Sequence, residues 1–193
     1  VGENNSILRF KEIGKIFARG PQVMGGYLND TSSSMKVLSI DGWFDTGDLG
    51  FLIPNGSLII TGRSKDTIVL SSGENIEPNP LEAKILSSKF ISQVQLVGQD
   101  KKNLAALVVP NFDLIESEFS ENDLKKINEN KEIKKFYKSK INKLLKNRIG
   151  ARLEEQIIDC FFVNPFTIEN FLLTQTLKQK RKEIEKLYEI QIE

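Results

Sequence analysis

The sequence predicts an α+β fold in which a small β-rich unit precedes a mixed α/β domain, and three patterns predict it. Between residues 12 and 60, β-like stretches at 15–18 and 57–60 alternate with the turn signals Arg19-Gly20-Pro21, Gly25-Gly26, Asp41-Gly42 and Pro54-Asn55-Gly56. After Gly62-Arg63, strand-like and helix-like segments alternate, which suits helices packed on a sheet. Further on, Ile133, Phe136, Tyr137, Ile141, Leu144, Leu145 and Ile149 recur at helical spacing and fall on one face.

Taken in order, residues 67–70 read as a strand and residues 71–75 as a polar loop. A helix follows, with Asn79 as its cap, Pro80 in its first turn and Glu82 placed to satisfy the free amides there. Strands are expected at 94–97 and 104–109, then a basic helical segment at 120–150 and an apolar strand at 157–163. Pro165 opens a turn, and a basic helix-like tail covers 178–192.

With 193 residues, 39% of them apolar and 27% charged, the chain has enough hydrophobic material for a folded core. A net charge of +1 hides a local excess: residues 125–148 hold ten Lys or Arg against two Glu. Cys160 is the single cysteine, so an internal disulfide is excluded, and no apolar run approaches the roughly 20 residues that span a bilayer. Both observations fit a cytoplasmic protein. The chain opens on Val1, which points to a sequence that begins inside something longer, and the N-x-S/T triplets at Asn4, Asn29 and Asn55 read as chance.

Histidine is absent, which removes imidazole catalysis and His-containing metal sites from this chain. Cys160 stands between Asp159 and Phe161 in an apolar run and reads as core, not nucleophile. No G-x-x-x-x-G-K-[ST] phosphate loop occurs. Chemistry must therefore come from carboxylates, Arg, Lys and backbone.

The densest signal is Asp41-Gly42-Trp43-Phe44-Asp45-Thr46-Gly47-Asp48-Leu49-Gly50, followed by Gly62-Arg63-Ser64-Lys65-Asp66. It resembles the adenylate-forming, AMP-binding superfamily, which includes acyl-CoA synthetases, luciferases and peptide synthetase adenylation domains. The likeness runs almost from end to end. Glu12-Ile13-Gly14-Lys15-Ile16, Ser71-Ser72-Gly73-Glu74-Asn75 and Leu172-Leu173-Thr174-Gln175-Thr176-Leu177-Lys178 are each similar to segments of its long-chain fatty acid branch.

Each motif also has a physical reading. A carboxylate on a Thr-Gly-Asp turn can accept both hydroxyls of a ribose, so Asp48 is the expected nucleotide ligand; a turn aspartate bonded to its own backbone is the competing reading. Arg63 offers a planar, permanently charged fork for ribose or phosphate oxygens, against the plainer reading of a surface ion pair. Ile60 either lies against the nucleotide or is a core residue. Lys178 is the expected catalytic residue, because one mobile ammonium stabilises the negative charge that gathers as a carboxylate attacks the α-phosphorus of ATP. A solvated lysine at a helix end is its alternative.

The resemblance further implies residues 1–62 as the end of a large amino-terminal domain, a hinge at 63–65 centred on Lys65, and a mobile lid over 66–193. It implies Ser72, Gly73 and Glu74 as the loop that faces the thiol in the second half-reaction. Two positions depart from the family pattern, which has Gly where this chain has Phe171 and Leu177. The function so implied is a long-chain fatty acid ligase that uses ATP, with Mg2+ held by the large domain, and makes an acyl thioester with coenzyme A or acyl carrier protein. The basic segment at 125–148 is a candidate dock for an acidic carrier or for the inner face of an anionic membrane. From a different class stands a noncatalytic binding or regulatory module that keeps the lid fold.

Overall fold

Short strands separated by glycine-rich turns tend to pair with their sequence neighbours. In this computed structural model, which describes residues 1–2 and 6–192, the first unit (1–67) does so. Strands β1 (Gly14–Ala18), β2 (Phe44–Leu52) and β3 (Leu58–Arg63) form an antiparallel sheet in the order β1-β2-β3. The β2–β3 turn is built by Gly56 at φ +86° and by the Asn55 side chain, which accepts from the Ser57 amide. The triplet at Asn4 lies outside the described residues.

One helix escaped the sequence reading. α1 (Thr31–Val37) is capped by Asp30, whose carboxylate accepts from the Ser33 amide, a bond that also lowers the Asp30 pKa. Its Thr-Ser-Ser-Ser opening has weak helix propensity, so the cap and not the composition marks it. The first unit has almost no interior: among its described residues only Gly50 and Gly62 are buried, while Ile13, Trp43, Leu58, Ile59 and Ile60 are exposed.

Residues 68–193 make the second unit. A hairpin of β4 (Ile68–Val69) and β5 (Asn75–Ile76) leads into α2 (Pro78–Ile85), then to a three-stranded sheet in the order β6-β7-β8. β6 (Ile91–Val97) and β7 (Leu104–Pro110) are antiparallel; β7 and β8 (Ile157–Phe162) are parallel. A parallel pair needs a long crossover. Helices α3 (Phe112–Phe119), α4 (Leu124–Glu129) and α5 (Lys131–Lys146) supply it.

β7 is the central strand and is apolar throughout because it is covered on both sides. Leu104, Ala106 and Val108 face a cluster with Ile76, Leu81, Ile133, Tyr137, Ile141 and Phe162; Leu107 and Val109 face a second one with Val97, Phe166, Leu172, Leu173 and Ile184. β8 is an edge strand whose free backbone groups find side-chain partners. The Asn142 amide both donates to and accepts from the Ile157 backbone, and Asn128 does the same at Phe162, at 2.7–2.9 Å.

Four expectations need correction. α2 starts at Pro78 with Glu77 as its cap residue, so Asn79 lies inside the first turn, and Glu82 is buried elsewhere instead of closing a cap. Ile149 is fully exposed and lies beyond α5, which ends at Lys146. The basic tail is helical only from Arg181, as α6 (Arg181–Leu187) and α7 (Glu189–Ile192), so Lys178 sits on a loop. The segment expected as one basic helix is two, divided at Asn130, whose side chain caps α5 by accepting from the Glu132 and Ile133 amides. Among the described residues no helix is long and apolar enough to cross a membrane.

Candidate functional site

Asp48 and Arg63 are direct partners across the β2–β3 ladder. Their side chains meet, with Arg63 Nε 3.3 Å from Asp48 Oδ1, and Arg63 Nη2 donates to the Thr46 carbonyl at 3.1 Å. The backbone between them is shaped for this approach. Gly47 has φ +71°, and a Cβ there would lie 3.3 Å from Arg63 Nη2, so a side chain would be strained and would crowd the guanidinium.

Thr46 ties the turn down. Its hydroxyl donates to the Ile16 carbonyl of β1 at 2.9 Å and accepts from the Asp48 amide at 3.1 Å, while the Gly47 amide donates to the Asp45 carboxylate at 2.8 Å. From β3, the Ser64 amide donates to the Gly47 carbonyl at 2.9 Å. Asp48 keeps 32% of its side chain exposed and Arg63 54%, so an acid and a fork-shaped cation stand side by side, rigidly held yet open to solvent. Ile60, on the same strand as Arg63, is 64% exposed within the first unit. Lys65 is exposed in the turn that follows, where the Asp66 amide donates to the Arg63 carbonyl.

The remaining expected residues belong to the second unit. Residues 70–74 close a tight turn through Gly73 N–H to Leu70 O at 2.8 Å and Leu70 N–H to Glu74 O at 2.9 Å. Gly73, at φ +84°, faces open space, and Ser72 and Glu74 are exposed. Glu74 pairs with Arg152 at 3.2 Å, and Arg152 also donates to the Asn75 carbonyl.

Lys178 is exposed on a loop closed by a β-bridge between Leu173 and Gln179. Its backbone is held on both sides: Lys178 N–H donates to the Thr174 hydroxyl at 3.0 Å, and Thr174 N–H donates to the Lys178 carbonyl at 2.8 Å. Leu177 precedes it at φ +60° and Phe171 stands at φ +62°. Both turns therefore keep a left-handed conformation without glycine.

Sequence reasoning missed two residues behind this loop. Glu82 and Arg181 form a buried, two-pronged ion pair, with Arg181 Nη1 at 2.8 and 2.9 Å from the two carboxylate oxygens. The spacing Lys178-x-x-Arg181 was visible, as was a charge on a helix otherwise turned inward, but nothing local joins positions 99 residues apart. Cys160 is fully buried, and its thiol is pushed up to about 12, first by burial and then by Asp159, which leaves it inert as a nucleophile. Among the described residues no group of three or more Asp, Glu or Cys could hold a metal ion.

Known proteins resemble the chain in sequence and in fold. A sequence profile for the AMP-binding enzyme C-terminal domain matches residues 65–143. A chloroplastic long-chain-fatty-acid–[acyl-carrier-protein] ligase of Arabidopsis thaliana is 35% identical over 99% of the chain, and long-chain-fatty-acid–CoA ligase 5 of Mus musculus is 36% identical over 93%. The chain spans about a quarter of the length of these relatives, 26% and 27%.

Among solved structures, the A domain of a carboxylic acid reductase from Segniliparus rugosus superposes with a TM-score of 0.81 at 23% identity, covering 93% of this chain and 27% of that one. O-succinylbenzoate coenzyme A synthetase from Bacillus subtilis does so with a TM-score of 0.69 at 22% identity, covering 96% and 32%. These likenesses establish the fold. Residues 65–143 thus match an AMP-binding enzyme C-terminal domain, and along nearly its whole length the chain is similar to adenylate-forming enzymes in sequence and in fold.

Proposed function

We propose that this chain is the carboxyl-terminal part of an ATP-dependent long-chain fatty acid ligase. The observation that carries the reading is the pairing of Asp48 with Arg63 on a rigid, solvent-open turn, in a chain that also presents an exposed lysine on a tethered loop. The names of two relatives, aligned along 99% and 93% of the chain, supply the substrate class, since both are long-chain fatty acid ligases.

In this reading Asp48 accepts the ribose hydroxyls, Arg63 holds Asp48 in place and reaches toward ribose or phosphate oxygen, and Ile60 lies along the nucleotide. The fatty carboxylate attacks the α-phosphorus of ATP, pyrophosphate leaves with the bonding pair, and acyl-AMP forms. Lys178 stabilises the charge shared by the carboxylate and the phosphate. A thiol then attacks the acyl carbonyl and AMP departs. Lys65 is the pivot for the change of state, and Ser72, Gly73 and Glu74 line the thiol's approach.

Residues 1–62 are read as the end of a large domain, with the hinge at 63–65 and the lid at 66–193. Support comes from the first unit's lack of an interior: a sheet that leaves Trp43, Ile59 and Ile60 exposed needs another surface to cover it. Mg2+ is assigned to residues outside this chain.

The acceptor is coenzyme A or acyl carrier protein. The α5 lysines Lys131, Lys135, Lys138 and Lys146 line its exposed face and form no ion pair among the described residues, which suits an acidic carrier or an anionic membrane surface.

Replacing Lys178 by Ala in the full-length enzyme tests the assignment. Acyl-AMP formation, followed by fatty-acid-dependent ATP–pyrophosphate exchange, is expected to fall at least 10²-fold, while thioester formation from supplied acyl-AMP persists. Survival of both half-reactions would remove Lys178 from the chemistry. No exchange by the unsubstituted enzyme with any medium or long fatty acid would remove the ligase reading.

A further inference from the structure

We infer that Arg181 and Glu82 are positioning residues for Lys178, an inference that rests on the ligase reading above. The pair is buried, with only 11% and 10% of the two side chains exposed, and its connections are directional. Arg181 Nη1 donates to both oxygens of Glu82, and Nη2 donates to the Leu96 carbonyl at 2.8 Å. Glu82 Oε1 also accepts the Leu96 amide at 2.7 Å. One guanidinium and one carboxylate thereby join α2, β6 and the start of α6.

Arg181 lies three residues after Lys178, and the chain between them is fastened at every step. Gln179 Nε2 donates to the Val94 carbonyl, Lys180 N–H to the Leu172 carbonyl, and Gln95 Nε2 to the Arg181 carbonyl. Two of these anchors, Val94 and Gln95, are on β6, and the third closes the base of the loop at Leu172. The lysine loop is thus a short, exposed turn hung from a buried ion pair, and its bulky residues at positive φ, Leu177 and Phe171, would relax were the anchors loosened.

α2 follows the 72–74 turn after four residues, so the same pair also sets that turn's helix against the lysine loop. Misplacing a catalytic group by about 1 Å can lower a rate by about 10²-fold. A strut of this kind therefore acts on the adenylation step without touching substrate.

The test uses Arg181→Lys in the full-length enzyme. Lysine keeps the charge but offers a point donor in place of the fork. Expected is a fall of about 10²-fold in kcat for ATP–pyrophosphate exchange, with KM for ATP changed less than about threefold and thioester formation from supplied acyl-AMP within about twofold of normal. Faster amide hydrogen exchange at Thr174 and Lys178 should accompany it, a readout that needs no activity.

Glu82→Gln, which retains one acceptor for the Leu96 amide, is expected to give the same asymmetry. Parallel loss of both half-reactions, exchange activity within twofold of normal, or failure of both variants to fold would reduce the pair to a stability element and overturn the inference. Absence of exchange in the unsubstituted enzyme strikes the ligase reading instead, and loop protection then decides the strut by itself.

Discussion

Asp48 and Arg63 oppose each other across two antiparallel strands, their side chains 3.3 Å apart, on a turn that Gly47 keeps clear. A carboxylate held beside a guanidinium but still a third exposed is arranged to exchange part of that pairing for a ligand. Hydrogen bonds to charged groups contribute roughly 1.5–3 kcal/mol each. Asp48→Asn in the full-length enzyme should therefore lower kcat/KM for ATP by about 10- to 100-fold. A change under twofold in steady-state kinetics would mean that Asp48 serves the turn alone.

Phe171 and Leu177 occupy left-handed backbone, at φ +62° and +60°, and their side chains are 75% and 68% exposed. That conformation costs a non-glycine residue about 1–2 kcal/mol, whereas glycine costs about 0.4–1 kcal/mol through the freedom of the unfolded chain. Little packing is lost at such exposed positions. Leu177→Gly should accordingly be neutral or stabilising by about 0.5 kcal/mol in chemical denaturation, against the destabilisation a glycine causes elsewhere. A loss above about 1 kcal/mol would show that the side chain is gripped.

Burial raises the Cys160 thiol from 9.0 to about 12 and raises Tyr137 as well. A folded-state pKa above the unfolded value means that the unfolded chain gives up its proton first as pH rises. The stability tied to the neutral thiol is thus complete below pH 9 and declines between pH 9 and about 12, by up to about 4 kcal/mol in that window. Native protein at pH 8 should resist thiol reagents and react at once when unfolded. Cys160→Ala should flatten the alkaline fall in denaturation midpoint, and an unchanged slope would contradict the assignment.

The two units differ in self-sufficiency. Residues 68–193 contain every buried apolar side chain among the described residues, and residues 1–67 contain none. Expressed alone, 68–193 should unfold cooperatively and show dispersed amide resonances. Residues 1–67 alone should show collapsed ones, and a dispersed spectrum for that piece would contradict the proposal that it completes a larger domain.

Much of the architecture is local and was legible. Alternating apolar residues and turn dipeptides marked β1, β3, β6, β7 and β8, and the repeat from Ile133 to Leu145 marked the buried face of α5. The cap of α1 was missed because serine-rich stretches read as loop, and α2 was begun two residues late because Pro78 and Pro80 are both allowed in a first turn. Extending the apolar face of α5 to Ile149 failed because periodicity does not report that the helix stops at Lys146.

By itself the sequence determined which residues prefer strand, turn or helix, because those preferences depend on neighbours a few positions away. It also singled out Asp48, Arg63 and Lys178 as the residue types that the proposed nucleotide chemistry would use. Only the tertiary structure decided who meets whom. Glu82, read locally as a cap, turns inward to Arg181, and Asn128 and Asn142 complete the open edge of β8. Left-handed turns at Phe171 and Leu177 follow from the same cause. Sheet order sets these pairings, and sheet order is fixed by burying apolar faces across the whole domain, which no short-range pattern encodes.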